Sequence, residues 1–138
     1  MRFDLDAITV GDYKEGRFLP GRQKVSEWLD SRDLFISTDN GREQISQPGK
    51  EKLDLAMATF LRYSKNEPLV IESWAGSGTE PARVLRARER ARMVSEYLIK
   101  RFDLKSKYVA AMPMNAVKDG QSRDGIGLVL FTSNTARR

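Results

Sequence analysis

The stretch LVIESWAGSGTEPARVLRARERARMVSEYL, residues 69–98, decides the fold of this chain. It opens with Leu69, Val70 and Ile71, and such an unbroken apolar run is typical of a strand covered on both faces. A turn with two glycines follows, and Thr79 ahead of a proline predicts the start of a helix. Apolar residues recur along that helix at spacings of three and four, which predicts one buried face. They are Val84, Ala87, Ala91, Val94 and Leu98.

The elements on either side of this stretch complete an alternating pattern. Ser46 predicts the cap of an earlier helix, which ends near residue 64 and has an apolar face of its own. Short apolar runs predict strands at 34–36, 107–111 and 126–131. The order strand, helix, strand, helix, strand, strand predicts an α/β fold. We expect a two-layer β-α-β-α-β-β sandwich with a mixed sheet and its helices mainly on one face.

The chain is expected to divide into three parts around a single hydrophobic core, as its length of 138 residues indicates. Residues 1–32 are predicted to form an N-terminal extension with an alternating edge strand, a glycine-rich linker and a short helix. That helix is expected over 23–30 and packs Trp28 inwards. The main domain is expected over 33–133, followed by a frayed tail at 134–138.

The composition excludes several classes of function. Without cysteine the chain has no disulfide, no thiolate nucleophile and no cysteine-ligated metal. Without histidine it also lacks the commonest general base and transition-metal ligand. We therefore expect a protein that is not an enzyme, with no catalytic residues, no metal and no cofactor. No apolar run approaches the roughly 18 residues of a membrane span. The net charge of +5 favours an acidic partner.

Three motifs follow one another along the chain. They are Ile45-x-x-x-Gly49-x-x-x-Leu53-x-x-Ala56, Leu69-Val-Ile-Glu72 and Arg90-Ala91-x-x-Val94-x-x-Tyr97-Leu98. Together they resemble the OmpA-like peptidoglycan-binding domain, the family of the carboxy-terminal domains of OmpA, Pal and MotB, over roughly residues 33–132. The helix motif is the most specific of the three, because it follows the strand and the turn at close to the family spacing.

The resemblance implies a domain that anchors non-covalently to the cell wall by gripping the diaminopimelate of a peptidoglycan stem peptide. In that family an aspartate after the central strand takes the ligand's ammonium, and an arginine of the next helix takes its carboxylate. Arg90 matches the family arginine, whereas the aspartate position holds Gly76. The ligand motif is therefore degenerate, and an acidic or backbone group near Gly76 to Glu80, such as Glu80, is expected to replace the family aspartate beside Arg90. The candidate ligand-binding residues are Arg90, Gly76, Ser77, Glu80 and Trp74.

Two other functions stay open. In the first, wall binding is lost and the scaffold is a protein–protein interaction or assembly module for an envelope protein partner. It would act through Trp74, the N-terminal extension and the arginines of the second helix. In the second, which belongs to another class, a basic cytoplasmic domain binds nucleic acid. Glu89 and Arg92 are three residues apart, so they can pair on the surface of the helix. This spacing favours an ordinary solvated helix face over a surface that binds nucleic acid. The helix arginines are Arg83, Arg86, Arg88, Arg90 and Arg92.

The resemblance also carries an expectation about location. The N-terminal residues are charged and alternating, with no hydrophobic signal-peptide core. An OmpA-like domain is nevertheless expected in the periplasm or the cell envelope. We therefore expect the chain to be a fragment of a longer exported protein.

Overall fold

The computed structural model describes Tyr13 and residues 22–63, 65–76, 78–114 and 123–132. From residue 22 on, these ranges contain six strands, three α-helices and one 3-10 turn. In chain order they are β1 (Gln23–Asp30), α1 (Ser31–Leu34), β2 (Phe35–Ser37), β3 (Glu43–Ile45), α2 (Gln47–Phe60), β4 (Leu69–Trp74), α3 (Glu80–Phe102), the 3-10 turn (Ser106–Tyr108), β5 (Val109–Met114) and β6 (Gly125–Thr132). The predicted mixed α/β class is confirmed.

The strand β6 lies between β1 and β4 in a four-stranded sheet of order β1-β6-β4-β5. It runs antiparallel to both neighbours, whereas β4 and β5 are parallel, so the sheet is mixed as predicted. A parallel pair needs a long crossover connection, and α3 provides it. The strands β2 and β3 form a separate antiparallel hairpin ahead of α2.

The helices α2 and α3 bury their apolar faces against one side of the sheet. Leu53 and Phe60 of α2 and Leu98 of α3 lie in one buried cluster with Ile71 of β4 and Leu128 of β6. Burying side chains of this size is the main favourable term in folding, about 1.5–3 kcal/mol each before the entropy of ordering them is subtracted. The result is compatible with the predicted two-layer arrangement.

The predicted short helix over residues 23–30 is wrong. These residues form β1, and every one of them pairs with a residue of β6. Trp28 is not packed inwards, because it lies on the sheet face away from the helices and is 38% exposed. Val25 and Leu29 are four residues apart, which suits a helix, but they also fall on one face of a strand. Pairing with the fully buried β6 decides between the two patterns.

Other predicted bounds shift by a few residues. Ser46 caps α2 as predicted, since its Oγ accepts a hydrogen bond from the N–H of Gly49 at 3.0 Å, but the helix ends at Phe60. Leu34 is the last residue of α1, so the strand predicted at 34–36 is observed as β2, which begins at Phe35. The strand predicted at 107–111 is observed as β5. The predicted edge strand and the tail at 134–138 lie outside the described residues, as does the linker apart from Tyr13.

Candidate functional site

Arg90 is a buried charge on the inner face of α3, with 7% of its surface exposed. It follows Ala87 by three positions and precedes Val94 by four, so it shares their side of the helix. Its guanidinium stacks on Phe35 of β2, with Cζ 5.0 Å from the ring centroid. A guanidinium in this place requires acceptors, because burying an unpaired charge is very unfavourable.

Two carboxylates and one hydroxyl surround this guanidinium. Glu43 of β3 accepts hydrogen bonds from both Nε and Nη2, each at 2.8 Å. Nη1 donates to Oδ1 of Asp124 at 2.8 Å and to Oγ of Ser31 at 3.1 Å. Four of the five N–H donors of Arg90 therefore bond to acceptors of the protein itself. We call Arg90, Glu43, Asp124 and Ser31 the arginine cluster.

Asp124 links the arginine cluster to the turn after β4. Its second oxygen, Oδ2, accepts a hydrogen bond from the backbone N–H of Gly76 at 3.0 Å. Gly76 and Arg90 therefore lie on opposite sides of one carboxylate. That carboxylate belongs to the residue just before β6, which is not among the predicted site residues.

The ion pair shifts the titration of both partners. Burial lowers the pKa of Arg90, but the hydrogen bonds and charges of Glu43 and Asp124 outweigh burial and raise that pKa above its usual value. Burial raises the pKa of Asp124, but hydrogen bonds from Ser31 and Gly76 and the charge of Arg90 outweigh it and lower that pKa. Arg90 and Asp124 are therefore both ionised at neutral pH.

The lowered pKa of Asp124 gives a pH-dependent prediction. A carboxyl whose pKa is lower in the folded state adds stability above its unfolded pKa, about 3.9, and loses it as the pH falls through the folded value. The contribution is missing from Asp124→Asn at every pH. The difference in free energy of unfolding between wild type and Asp124→Asn, measured by urea denaturation, should be largest near neutral pH and shrink below about pH 4. A difference that stays constant in acid would contradict this account.

Trp74 lies on the other face of the sheet and is not brought to Arg90. It packs with the apolar cluster away from the helices. The Cζ atom of Arg123 lies between two indole rings, 5.0 Å from the centroid of Trp74 and 4.1 Å from that of Trp28. Because Arg123 directly precedes Asp124, the two tryptophans hold the backbone next to the carboxylate of the arginine cluster.

The structure does not bring Glu80 to Arg90 either. Glu80 is exposed in the first turn of α3, ten residues before Arg90, which is roughly 15 Å along the helix axis. Ser77 lies outside the described residues. The carboxylates that meet Arg90 come from Glu43 and Asp124, which are 47 and 34 residues away along the chain.

A groove of about 950 Å³ lies beside the arginine cluster, between the β2–β3 hairpin and the first half of α3. We call it the hairpin groove. Its charged and larger apolar lining residues are Arg42, Glu43, Leu85, Arg86, Glu89, Arg90, Arg92 and Met93. Because Glu43 and Arg90 line the groove, the ion pair forms part of its wall.

Compared with known proteins, the chain matches no protein-family model and no curated protein. The OmpA-like resemblance therefore stays a prediction from the three motifs, as does the ligand that it implies. Of the helices in the described ranges, none has an apolar stretch long enough to cross a membrane.

Proposed function

We propose that the chain is an OmpA-like, non-enzymatic module of the periplasm or cell envelope that binds another protein and has lost the ability to grip peptidoglycan. One observation carries the proposal: four of the five N–H donors of Arg90 are already bonded to Glu43, Asp124 and Ser31. A ligand carboxylate that accepts two hydrogen bonds from Arg90 would have to displace one of these acceptors.

The position of Asp124 strengthens this argument. Its carboxylate receives hydrogen bonds from both the guanidinium of Arg90 and the N–H of Gly76. A ligand carboxylate in the same place would make the same kind of bonds, so the exchange would gain little energy. Asp124 also acts as a tethered group, and a short tether gives an effective concentration in the millimolar range or above. A free stem peptide at lower concentration would therefore need further contacts with the protein to displace it.

The pairing of charges argues against nucleic-acid binding. Arg92 bonds to Glu89 at 2.9 Å and to Glu96 at 3.1 Å, and Arg90 is neutralised by the arginine cluster. Two of the five arginines in this run of α3, Arg90 and Arg92, are therefore paired with carboxylates of the protein itself. A groove that follows a phosphate backbone is instead a continuous positive surface.

Co-sedimentation with purified sacculi tests the proposal. We expect the wild-type chain to stay in the supernatant even at low ionic strength, where weak electrostatic binding is strongest. An OmpA-like domain that retains the family aspartate serves as the positive control. The proposal fails if the wild-type chain pellets with sacculi and Arg90→Lys, verified to be folded, does not.

A further inference from the structure

We infer that Arg123 is a latch that keeps Asp124 in the arginine cluster. The latch is closed when the guanidinium of Arg123 lies between the indole rings of Trp28 and Trp74, as it does in the structure. This inference rests on the proposed function, in which Asp124 takes the place at Arg90 that a ligand carboxylate would fill. It adds the positioning residue that holds this autoinhibitory contact together, on the opposite face of the sheet.

The two indole rings that hold Arg123 are themselves fixed by hydrogen bonds. The Nε1–H of Trp28 donates to Oδ1 of Asp30 at 2.9 Å. The Nε1–H of Trp74 donates to Oε1 of Glu72 at 3.2 Å. In both cases the acceptor lies two residues away on the same strand, so each ring has a fixed orientation relative to its own strand. A guanidinium between two such rings gains cation–π attraction from both of them.

The side chains of Arg123 and Asp124 point to opposite faces of the sheet. Arg123 lies at the tryptophans, on the face away from the helices, whereas Asp124 bonds to Arg90 of α3. Successive residues of an extended chain alternate between faces in this way. Fixing the side chain of Arg123 on one face therefore directs the carboxylate of Asp124 towards the other.

Further contacts hold the backbone around Asp124. On its C-terminal side, Trp28 lies against Gly125, where an added Cβ would be 2.5 Å from Cζ2 of the indole. The carbonyl oxygen of Asp124 accepts a hydrogen bond from the N–H of Ser31 at 3.2 Å. Arg123 supplies the contact on the N-terminal side. The inference is that these backbone contacts alone do not keep the carboxylate in place, and that the latch is required as well.

The latch can be reached from solvent, whereas the guanidinium of Arg90 is buried. Arg123 is exposed and Trp28 is 38% exposed, while Arg90 is 7% exposed. A change at the indoles would therefore reach the buried charge through two adjacent residues of the chain. Such a coupling between two sites is reciprocal.

Hydrogen exchange at the backbone amide of Gly76 tests the inference, because this N–H donates to Asp124 and makes no contact with the latch itself. NMR measures it on the whole chain. We expect Arg123→Ala and Trp28→Leu each to speed the exchange about tenfold, since the acceptor of the N–H is then less firmly held. Trp28→Leu keeps every charge, so it separates positioning from charge. Arg123→Lys, which keeps a cation for the rings, should retain most of the protection.

Three controls accompany this measurement. Asp124→Ala gives the rate for complete loss of the hydrogen bond. Arg62→Ala removes an exposed arginine just after α2 and should leave the exchange at Gly76 unchanged. The amide of Ile71, in the buried strand β4, reports any general loss of stability, which would speed exchange there as well.

Two results would overturn the inference. Unchanged exchange at Gly76 in Arg123→Ala would show that the backbone contacts of Asp124 are sufficient. An effect of Arg123→Ala that Trp28→Leu does not share would show that only the charge of Arg123 matters. If Trp28→Leu does not fold, Trp28→Phe decides in its place, and a rate equal to that of the wild type counts against the latch. Pelleting of the wild-type chain with sacculi rejects the proposed function, whereas unchanged exchange without pelleting rejects the latch alone.

Discussion

Replacing Arg90 with methionine is expected to lower the free energy of unfolding by about 3 kcal/mol. The substitution keeps the apolar length of the side chain but leaves Glu43 and Asp124 without the cation that joins them. Breaking a buried ion pair by removing one partner typically costs 3–5 kcal/mol. Both carboxylates are partly exposed and can regain water, which places the expected loss at the lower end of that range. Urea denaturation followed by circular dichroism measures it.

A surface arginine on the same helix provides the control for this prediction. Arg92 also bonds to two carboxylates, but all three groups are exposed, so Arg92→Met should change the stability little. Replacing Glu43 and Asp124 by their amides in the Arg90→Met background should restore part of the loss, because the two uncompensated charges disappear. If Arg90→Met costs no more than Arg92→Met, the guanidinium does not hold the fold together.

Gly49→Ala is the second substitution with a large expected effect. A Cβ atom at this position would lie 2.3 Å from the carbonyl oxygen of Leu34, and 2.8 and 2.9 Å from its Cα and carbonyl carbon. These are backbone atoms of α1, so α1 and α2 would have to separate. Overpacking costs typically 1–3 kcal/mol, while alanine in a helix gains about 1 kcal/mol over glycine. Because the clash is with backbone atoms, we expect the cost to lie at the upper end of that range, which leaves a net loss of about 2 kcal/mol in urea denaturation.

The matched control for Gly49→Ala is Glu51→Ala, two residues further along α2. Glu51 is exposed, so its truncation should change the free energy of unfolding by no more than about 0.5 kcal/mol. Equal stability of Gly49→Ala and wild type would show that the close approach of α1 and α2 does not constrain the fold.

The central part of the fold could be predicted from the sequence because its local patterns agree with its packing. The apolar run of β4 favours a buried strand, the turn favours its end, and the three-and-four spacing in α3 favours a helix with one buried face. The structure contains this strand and this helix. β1 could not be assigned in the same way. Its apolar residues fit both a helix and a strand, and the choice depends on β6, which lies about 100 residues further along the chain.

The site could be predicted only in part. The motif located Arg90, and one signal for its burial was present: it falls on the same helical face as Ala87 and Val94, where a charge must be paired. The partners carried no local signal. Glu43 and Asp124 reach Arg90 from distant parts of the chain, through the β2–β3 hairpin and through the segment that Arg123 anchors between the two tryptophans.

The backbone amide of Gly76 offers the most direct test of the proposal that Arg90 is bound internally and no longer grips a ligand. This N–H donates a hydrogen bond to one carboxylate oxygen of Asp124, and the other oxygen accepts one from Arg90. Displacement of Asp124 by a ligand would therefore change the chemical environment of the Gly76 amide. The measurement is a ¹⁵N–¹H NMR titration of the wild-type chain with diaminopimelate, following the Gly76 amide and the Nε–H of Arg90. We predict no saturable shift of either signal up to millimolar ligand. A saturable shift of both signals at micromolar ligand would show that Arg90 and the turn still form a wall-binding site.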